Sequence, residues 1–368
     1  MIAFKIVKNW ILALFAKGCC LLFHYSCDSY LVAITRNRSK LKKFLLFLIL
    51  ITPALLKAQE KYSRTLKLMG CHYEITVVAA NQAEGDKFID IAANEVTRIE
   101  KLISEWDSTT QISHVNYYAG IHPVKVDKEV FDLIVRSIKI SELTDGAFDV
   151  TWAAMNQIWK FDGSMKRLPT REEVAEAAAR VGYKNIVLDP VNLTVYLKLK
   201  GMRLGFGGIG KGYGADKGAD LLKSLGVAGG IMNASGDITA WGHQPDGKPW
   251  MIGITNPFNK DKVFSWFPFN GKSIGTSGDY ENFVEFDGKR YSHIIDPRTG
   301  WPVHGVSSVT LFGPNAELST ALTKAIFVMG IDVGINLLKQ IKGIEFIVVD
   351  EHGKIYESDH IKMNPFKK

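Results

Sequence analysis

The chain has 368 residues, 46% hydrophobic and 23% charged, with a formal net charge of +7. Residues 1–58 hold nine of the 45 Lys/Arg and one of the 38 Asp/Glu, which leaves 36 bases against 37 acids, a net of −1, for the rest. The basic excess therefore belongs to the first segment, nothing argues for a nucleic-acid partner, and the remainder suffices for one large domain or two small ones.

That first segment contains "RNRSKLKKFLLFLILITPALLKAQ", a basic stretch followed by an apolar run over residues 44–56. This pattern is expected to act as a secretory signal cut after Ala58. The run is short for a membrane span, so cleavage is expected over anchoring. Export to the periplasm follows as the expectation, with inner-membrane association as the variant in which the leader is retained. Residues 1–35 lie upstream of this signal and fit a start assigned too early. Cys19, Cys20 and Cys27 fall in the leader, and no cysteine sits at the expected cut. The domain expected over 59–368 keeps only Cys71, which excludes an intrachain disulfide and reads as a buried small hydrophobe.

Along that domain, "RTLKLMGCHYEITVVAA" alternates as a strand, with a second strand after its glycine. Phe88, Ala92, Val96, Ile99 and Leu102 recur at helical spacing. "SEWDSTTQISHVN" reads as a polar loop, and Asp127 as the cap of a helix carrying Val130, Ile134 and Ile138. Asp145-Gly146 breaks that helix. Thr170 and Glu173 spell a capping box for a helix ending near Gly182. "NIVLDPVNLTVYLKL" predicts a hairpin and "MRLGF" a short strand. Strands then dominate to about Thr310, with a turn at Asp287-Gly288. Helices near 316–329 and 331–341 and a closing hairpin, "IEFIVVDEHGKIYE", complete an α+β pattern without βαβ regularity.

The chemistry centres on "GFGGIGKGYGAD", residues 205–216. Gly205, Gly207 and Gly210 spell G-x-G-x-x-G, while Gly205, Gly210 and Lys211 begin a P-loop whose Ser/Thr is replaced by Gly212. A P-loop needs that hydroxyl on Mg²⁺, and a Rossmann loop needs a βαβ unit, so neither mechanism applies. An anionic ligand at a helix start remains, beside the plainer reading of a tight turn. "SGD" (235–237) and "TSGDY" (276–280) read as turns. His293 in "SHIIDPRTG" is either a general base or a satisfied loop histidine. No C-x-x-C or H-E-x-x-H motif supports zinc.

Taken together, "GAFDVT", "GGIGKGYGAD", "NASGDI", "TSGDY", "SHIIDPRTG" and "ALTKAIFVMG" resemble, in this order, the ApbE family of FAD:protein FMN transferases, from about Leu66 to the C-terminus. The resemblance implies a single T-fold-like α+β domain that moves FMN from FAD to a Ser or Thr hydroxyl of a target protein and releases AMP. Targets in the family include subunits of membrane ion-pumping oxidoreductases. It implies that Met69, Trp106, Ala147, Phe148 and Asp149 contact FAD, with Gly205 and Lys211 in a pyrophosphate cradle and His293 as catalytic base. The family binds Mg²⁺ through an Asp and a Thr of an Asp-Ala-Leu-Ala-Thr helix. Here the matching positions are Thr320 and Lys324, or Ser319 and Thr323 on a one-residue shift, with no carboxylate in either register. Asp-Leu-Gly-Gly of the family likewise becomes Gly205-Phe206-Gly207-Gly208. Two outcomes are expected from these departures. In one, Lys324 joins the catalytic set in place of part of the metal, or Mg²⁺ binds weakly through the Gly208 carbonyl and Thr320. In the other, the protein only binds FAD. A hydrolase splitting FAD to FMN and AMP would use the same site.

Overall fold

Strands whose alternate residues are apolar on both sides demand cover on both faces, and the fold supplies it with different material on each. The computed structural model describes residues 59–361 apart from 269, 270 and 272, so the leader and its cysteines lie outside the described residues. The strands are β1 (Glu60–Leu68), β2 (Cys71–Ala79), β3 (Val124–Lys125), β4 (Ile186–Asp189), β5 (Thr194–Leu197), β6 (Gly230–Ala234), β7 (Asp237–Trp241), β8 (Met251–Asn256), β9 (Asn259–Pro268), β10 (Ser273–Gly278), β11 (Phe283–Phe286), β12 (Lys289–Ser292), β13 (Val306–Gly313), β14 (Glu345–Asp350) and β15 (Ile355–Glu357). The helices are α1 (Gln82–Ile103), α2 (Gln111–Tyr117), α3 (Lys128–Leu143), α4 (Arg171–Ala178), α5 (Gly210–Ser224), α6 (Ala316–Met329) and α7 (Ile331–Gln340).

Eight strands form one antiparallel sheet in the order β1-β2-β6-β7-β10-β13-β14-β15. Tyr73, Ile75 and Val77 of β2 pack against Ile89, Ala92 and Val96 of α1 and Ala215, Ala219 and Leu222 of α5. Further along, Val309 and Leu311 of β13 meet Leu322, Ala325 and Ile326 of α6 in the same core as α3. The opposite residues of the strands, Val78, Ile238, Ile274, Phe312 and Ile347, are covered by Trp250, Ile252 and Ile254 beside and within the β8–β9 hairpin. Helices on one face and a hairpin on the other make the α+β arrangement expected.

Local signals decide the ends of elements. The Thr170/Glu173 capping box forms, each side chain bonding the other's backbone N–H. The turn at Asp287-Gly288 joins β11 to β12 with φ of 51° and 71°, the left-handed pair a tight hairpin needs. Three expectations fail. "MRLGF" forms no strand; Arg203 only bridges Trp152. "SEWDSTTQISHVN" is not all loop, because Thr110 accepts a bond from the Ser113 N–H and starts α2, which buries Ile112 and Val115. Asp127 stands at the start of α3 but turns its carboxylate to Gln111 instead of capping.

Candidate active site

Helix α5 opens directly from the glycine stretch, and its N-cap, Ile209, offers no side-chain cap. Gly212, which stands where a P-loop has its hydroxyl, has a packing reason. A Cβ there would lie 2.3 Å from the Ala316 carbonyl oxygen and 2.5 Å from Thr320 Oγ1. Gly275 of β10 is equally close to α6, with a Cβ position 2.6 Å from the Thr320 nitrogen. The two glycines let α5 and β10 clamp α6. Asp216, the last residue of the glycine motif, then accepts from the N–H groups of Ala316 and Glu317, tying the first turn of α6 to α5. Much of this motif therefore builds the junction on which the site stands.

Charge gathers at that junction. Lys211 of α5 lies 3.2 Å from Asp237, whose carboxylate is fully buried at the start of β7. The pair is an ion pair without hydrogen-bond alignment, and neither Asp237 oxygen has another partner among the described residues. Asp237, burial notwithstanding, dominates the upward shift of the Lys211 ammonium. Lys324 of α6 donates to Ser277 Oγ of β10. Burial lowers its pKa to about 8, with Asp237 opposing and Lys211 reinforcing that fall. Thus two ammonium groups share one buried carboxylate, with Glu281 within electrostatic reach of both.

His293 follows β12, and its ring is clamped. Its Nδ1 lies 3.0 Å from the Asn282 carbonyl oxygen, and its backbone N–H bonds the same oxygen at 2.9 Å. A carbonyl can only accept, so Nδ1 carries the proton and the Nε2 lone pair is left free. Burial first, then the charges of Lys324 and Lys211, lower its pKa to about 4. The imidazole is therefore a neutral base at physiological pH. Asp296 does not orient it; its carboxylate is held by Arg298 and its carbonyl by Gly300.

The remaining expected contacts divide. Met69, in the left-handed region at φ 49°, is held by a bond from its N–H to Glu100 and packs beside Gly210 and Gly214. Phe148 packs on Gly208, whose Cβ position is 3.2 Å from the ring. Trp106 is 73% exposed and free to cover a ligand. Ala147 is buried in the main core. Asp149 is spent internally: its carboxylate accepts from the N–H and Oγ1 of Thr151 and from the Tyr183 N–H. Gly205 is also internal. Its N–H bonds Val150, its carbonyl accepts from Trp152, and a Cβ would lie 2.8 Å from a Glu105 carboxylate oxygen. Buried Glu105, held by Asn156, occupies the space a side chain at 205 would fill, and burial raises it to about 7. Cys71 is half-buried rather than buried.

Residue chemistry decides the question of a divalent ion. Mg²⁺ wants oxygen ligands, usually with one or two carboxylates. Thr320 Oγ1 is buried, neutral and without a partner among the described residues. The stem of Lys324 lies beside Gly208, its Cγ 3.7 Å from the Gly208 Cβ position. Its ammonium, carried on to Ser277, adds a positive charge on the same helix face. No cluster of three His, Cys, Asp or Glu side chains suited to a metal occurs among the described residues. A backbone carbonyl at Gly208 and a neutral hydroxyl at Thr320, with no carboxylate between them, do not fit Mg²⁺.

Asp237, Ser277 and Glu281 join the site without a distinct signal in the sequence. The first two lie in "SGD" and "TSGDY", short hydroxyl-carboxylate strings indistinguishable from turns until β7 and β10 bring them under α6.

Fold and site together define an α+β protein in which two clustered lysines lie within electrostatic reach of one neutral histidine base. The chain belongs to the ApbE family, whose model matches residues 69–348. It is 29% identical over 296 residues to an FAD:protein FMN transferase of Klebsiella pneumoniae, covering 80% of this chain and 90% of that protein. A Treponema pallidum protein of the same name is 30% identical over 308 residues, covering 78% and 84%. The ApbE protein of Thermotoga maritima superposes with TM-score 0.76 at 32% identity, over 82% of this chain and 97% of that one. For the flavin transferase ApbE of Vibrio cholerae the TM-score is 0.73 at 27% identity, covering 82% and 98%.

Proposed function

We propose that this protein transfers FMN from FAD to a Ser or Thr hydroxyl of an acceptor protein and releases AMP. The observation that carries the reading is His293, a neutral base whose Nε2 is left free by the Asn282 carbonyl, in electrostatic reach of Lys211 and Lys324. A hydroxyl is a weak nucleophile and needs such a base. In the reaction, the acceptor oxygen attacks the phosphorus on the FMN side, and its proton passes to His293 Nε2. The bond from that phosphorus to the bridging oxygen breaks, and the electron pair leaves with AMP. Lys211 and Lys324 offset the charge that develops on the phosphate oxygens. No step is assigned to Mg²⁺, because Thr320 and Lys324 stand where the family has its Asp and Thr.

The acceptor, on this reading, is a subunit of a membrane ion-pumping oxidoreductase outside the cytoplasm. The signal-like leader and the family's habit support that; the leader itself lies outside the described residues. Incubating the protein with FAD and a candidate acceptor tests the activity. Acceptor mass rising by one FMN, with one AMP released, supports transfer. AMP and FMN without mass gain indicate hydrolysis, and FAD bound without either product indicates a binding protein.

A further inference from the structure

The Lys324 side chain is held as a fixture. Its ammonium donates to Ser277 Oγ. Ser277 Oγ lies 2.7 Å from Thr323 Oγ1, which in turn lies 2.7 Å from the Thr320 carbonyl. One proton arrangement satisfies all four groups: Lys324 donates to Ser277, Ser277 to Thr323, and Thr323 to the carbonyl. Ser277, Thr323 and Thr320 are essentially inaccessible to solvent, so this chain forms a fixed socket. An ammonium has three N–H donors and Ser277 takes one. Asp237, the buried carboxylate nearby, is already paired with Lys211. Glu281 is the only other carboxylate in electrostatic reach of both lysines among the described residues, and two Lys324 donors remain for a ligand.

We propose that the Lys324 ammonium is a resident cation for a pyrophosphate, so that this protein binds FAD without a divalent metal ion. The inference rests on the flavin-transferase reading and specifies how its substrate is held. The Lys324 stem passes Gly208 on its way to Ser277, and the uncapped start of α5 that follows Gly208 adds backbone N–H groups for the same ligand. At neutral pH the group stays charged, since its pKa falls no lower than about 8. A divalent ion in the same place would face that ammonium, and α6 would offer it hydroxyls but no carboxylate.

The experiment is FAD binding by flavin fluorescence in EDTA and in millimolar Mg²⁺, with Mn²⁺ binding read by electron paramagnetic resonance. Wild-type affinity should differ less than about threefold between the two conditions, and the wild type with FAD should take up no Mn²⁺. Lys324→Met keeps the stem and removes the charge; it should weaken FAD in EDTA by about 10- to 100-fold, the scale of a charged hydrogen bond. Thr320→Asp combined with Lys324→Thr should bind Mn²⁺ together with FAD and make FAD affinity depend on Mg²⁺. Thermal melts check that the variants fold; the wild-type arms stand if the double variant does not. A wild type that loses tenfold or more of its FAD affinity in EDTA and regains it with Mg²⁺ overturns the proposal. So does a Lys324→Met variant, folded, that binds FAD as tightly as wild type. Metal-independent FAD binding without any AMP release leaves this inference standing and removes the transferase reading. FAD binding in neither condition removes both.

Discussion

His293 is the residue whose behaviour can be worked out most fully. Burial, with help from two lysines, moves the ring from 6.5 to about 4, which amounts to about 3 kcal/mol of preference for the neutral form. At pH 6 about one ring in a hundred should therefore be protonated. Two pH dependences follow from the sign. For activity, kcat/KM should show no His293 inflection near 6.5, and the base should fail only as pH approaches 4. For stability, the unfolded chain takes up a proton below about 6.5 that the folded ring refuses until about 4. Folding free energy from this group is thus lost as pH falls through that window and is level below it. Histidine Cε1–H resonances, assigned with His293→Gln, give the midpoint directly. Lys324→Met should move it upward, because an adjacent positive charge is removed; burial, the larger cause, should keep it under 6.5. His293→Gln should lower flavin transfer by about 10²- to 10⁴-fold with FAD affinity within a few-fold. A midpoint at 6 or above, or transfer at the wild-type rate in the variant, would refute the base assignment.

Gly212→Ser, which completes the P-loop spelling, should destabilise the protein by about 1–3 kcal/mol in denaturant titrations, because a Cβ meets the Ala316 carbonyl at 2.3 Å. It should confer no ATP binding. Trp106→Ala should leave stability within about 0.5 kcal/mol, given 73% exposure, yet weaken FAD binding in a fluorescence titration. Glu105→Gln tests the raised carboxyl. With a folded pKa of about 7 against 4.5, Glu105 removes stability as pH rises through that window, in total by about 3 kcal/mol. The Gln variant should be the more stable above pH 7 by melting temperature and lose that advantage below pH 4.5.

The one-dimensional pattern determined a good deal. Alternation over residues 64–80 and helical spacing from Phe88 to Leu102 placed β1, β2 and α1, because their apolar residues are buried by neighbours in space but spaced within the element. The Thr170 capping box and the Asp287-Gly288 turn were legible because their bonds form within a few residues. His293 and Lys211 stood out because a histidine or a lysine among turn residues has few structural uses. What the pattern could not show is pairing across distance. Asp237 pairs with Lys211 because β7 lies under α5, and Ser277 seats Lys324 because Gly275 and Gly212 allow α6 close approach. The same blindness hid Glu105, which fills the space left by a glycine 100 positions later, and the bonds that hold the Asp149 carboxylate to Thr151 and Tyr183 within its turn. A carboxylate in a sequence shows its charge; only the packed structure shows whether its lone pairs are already taken.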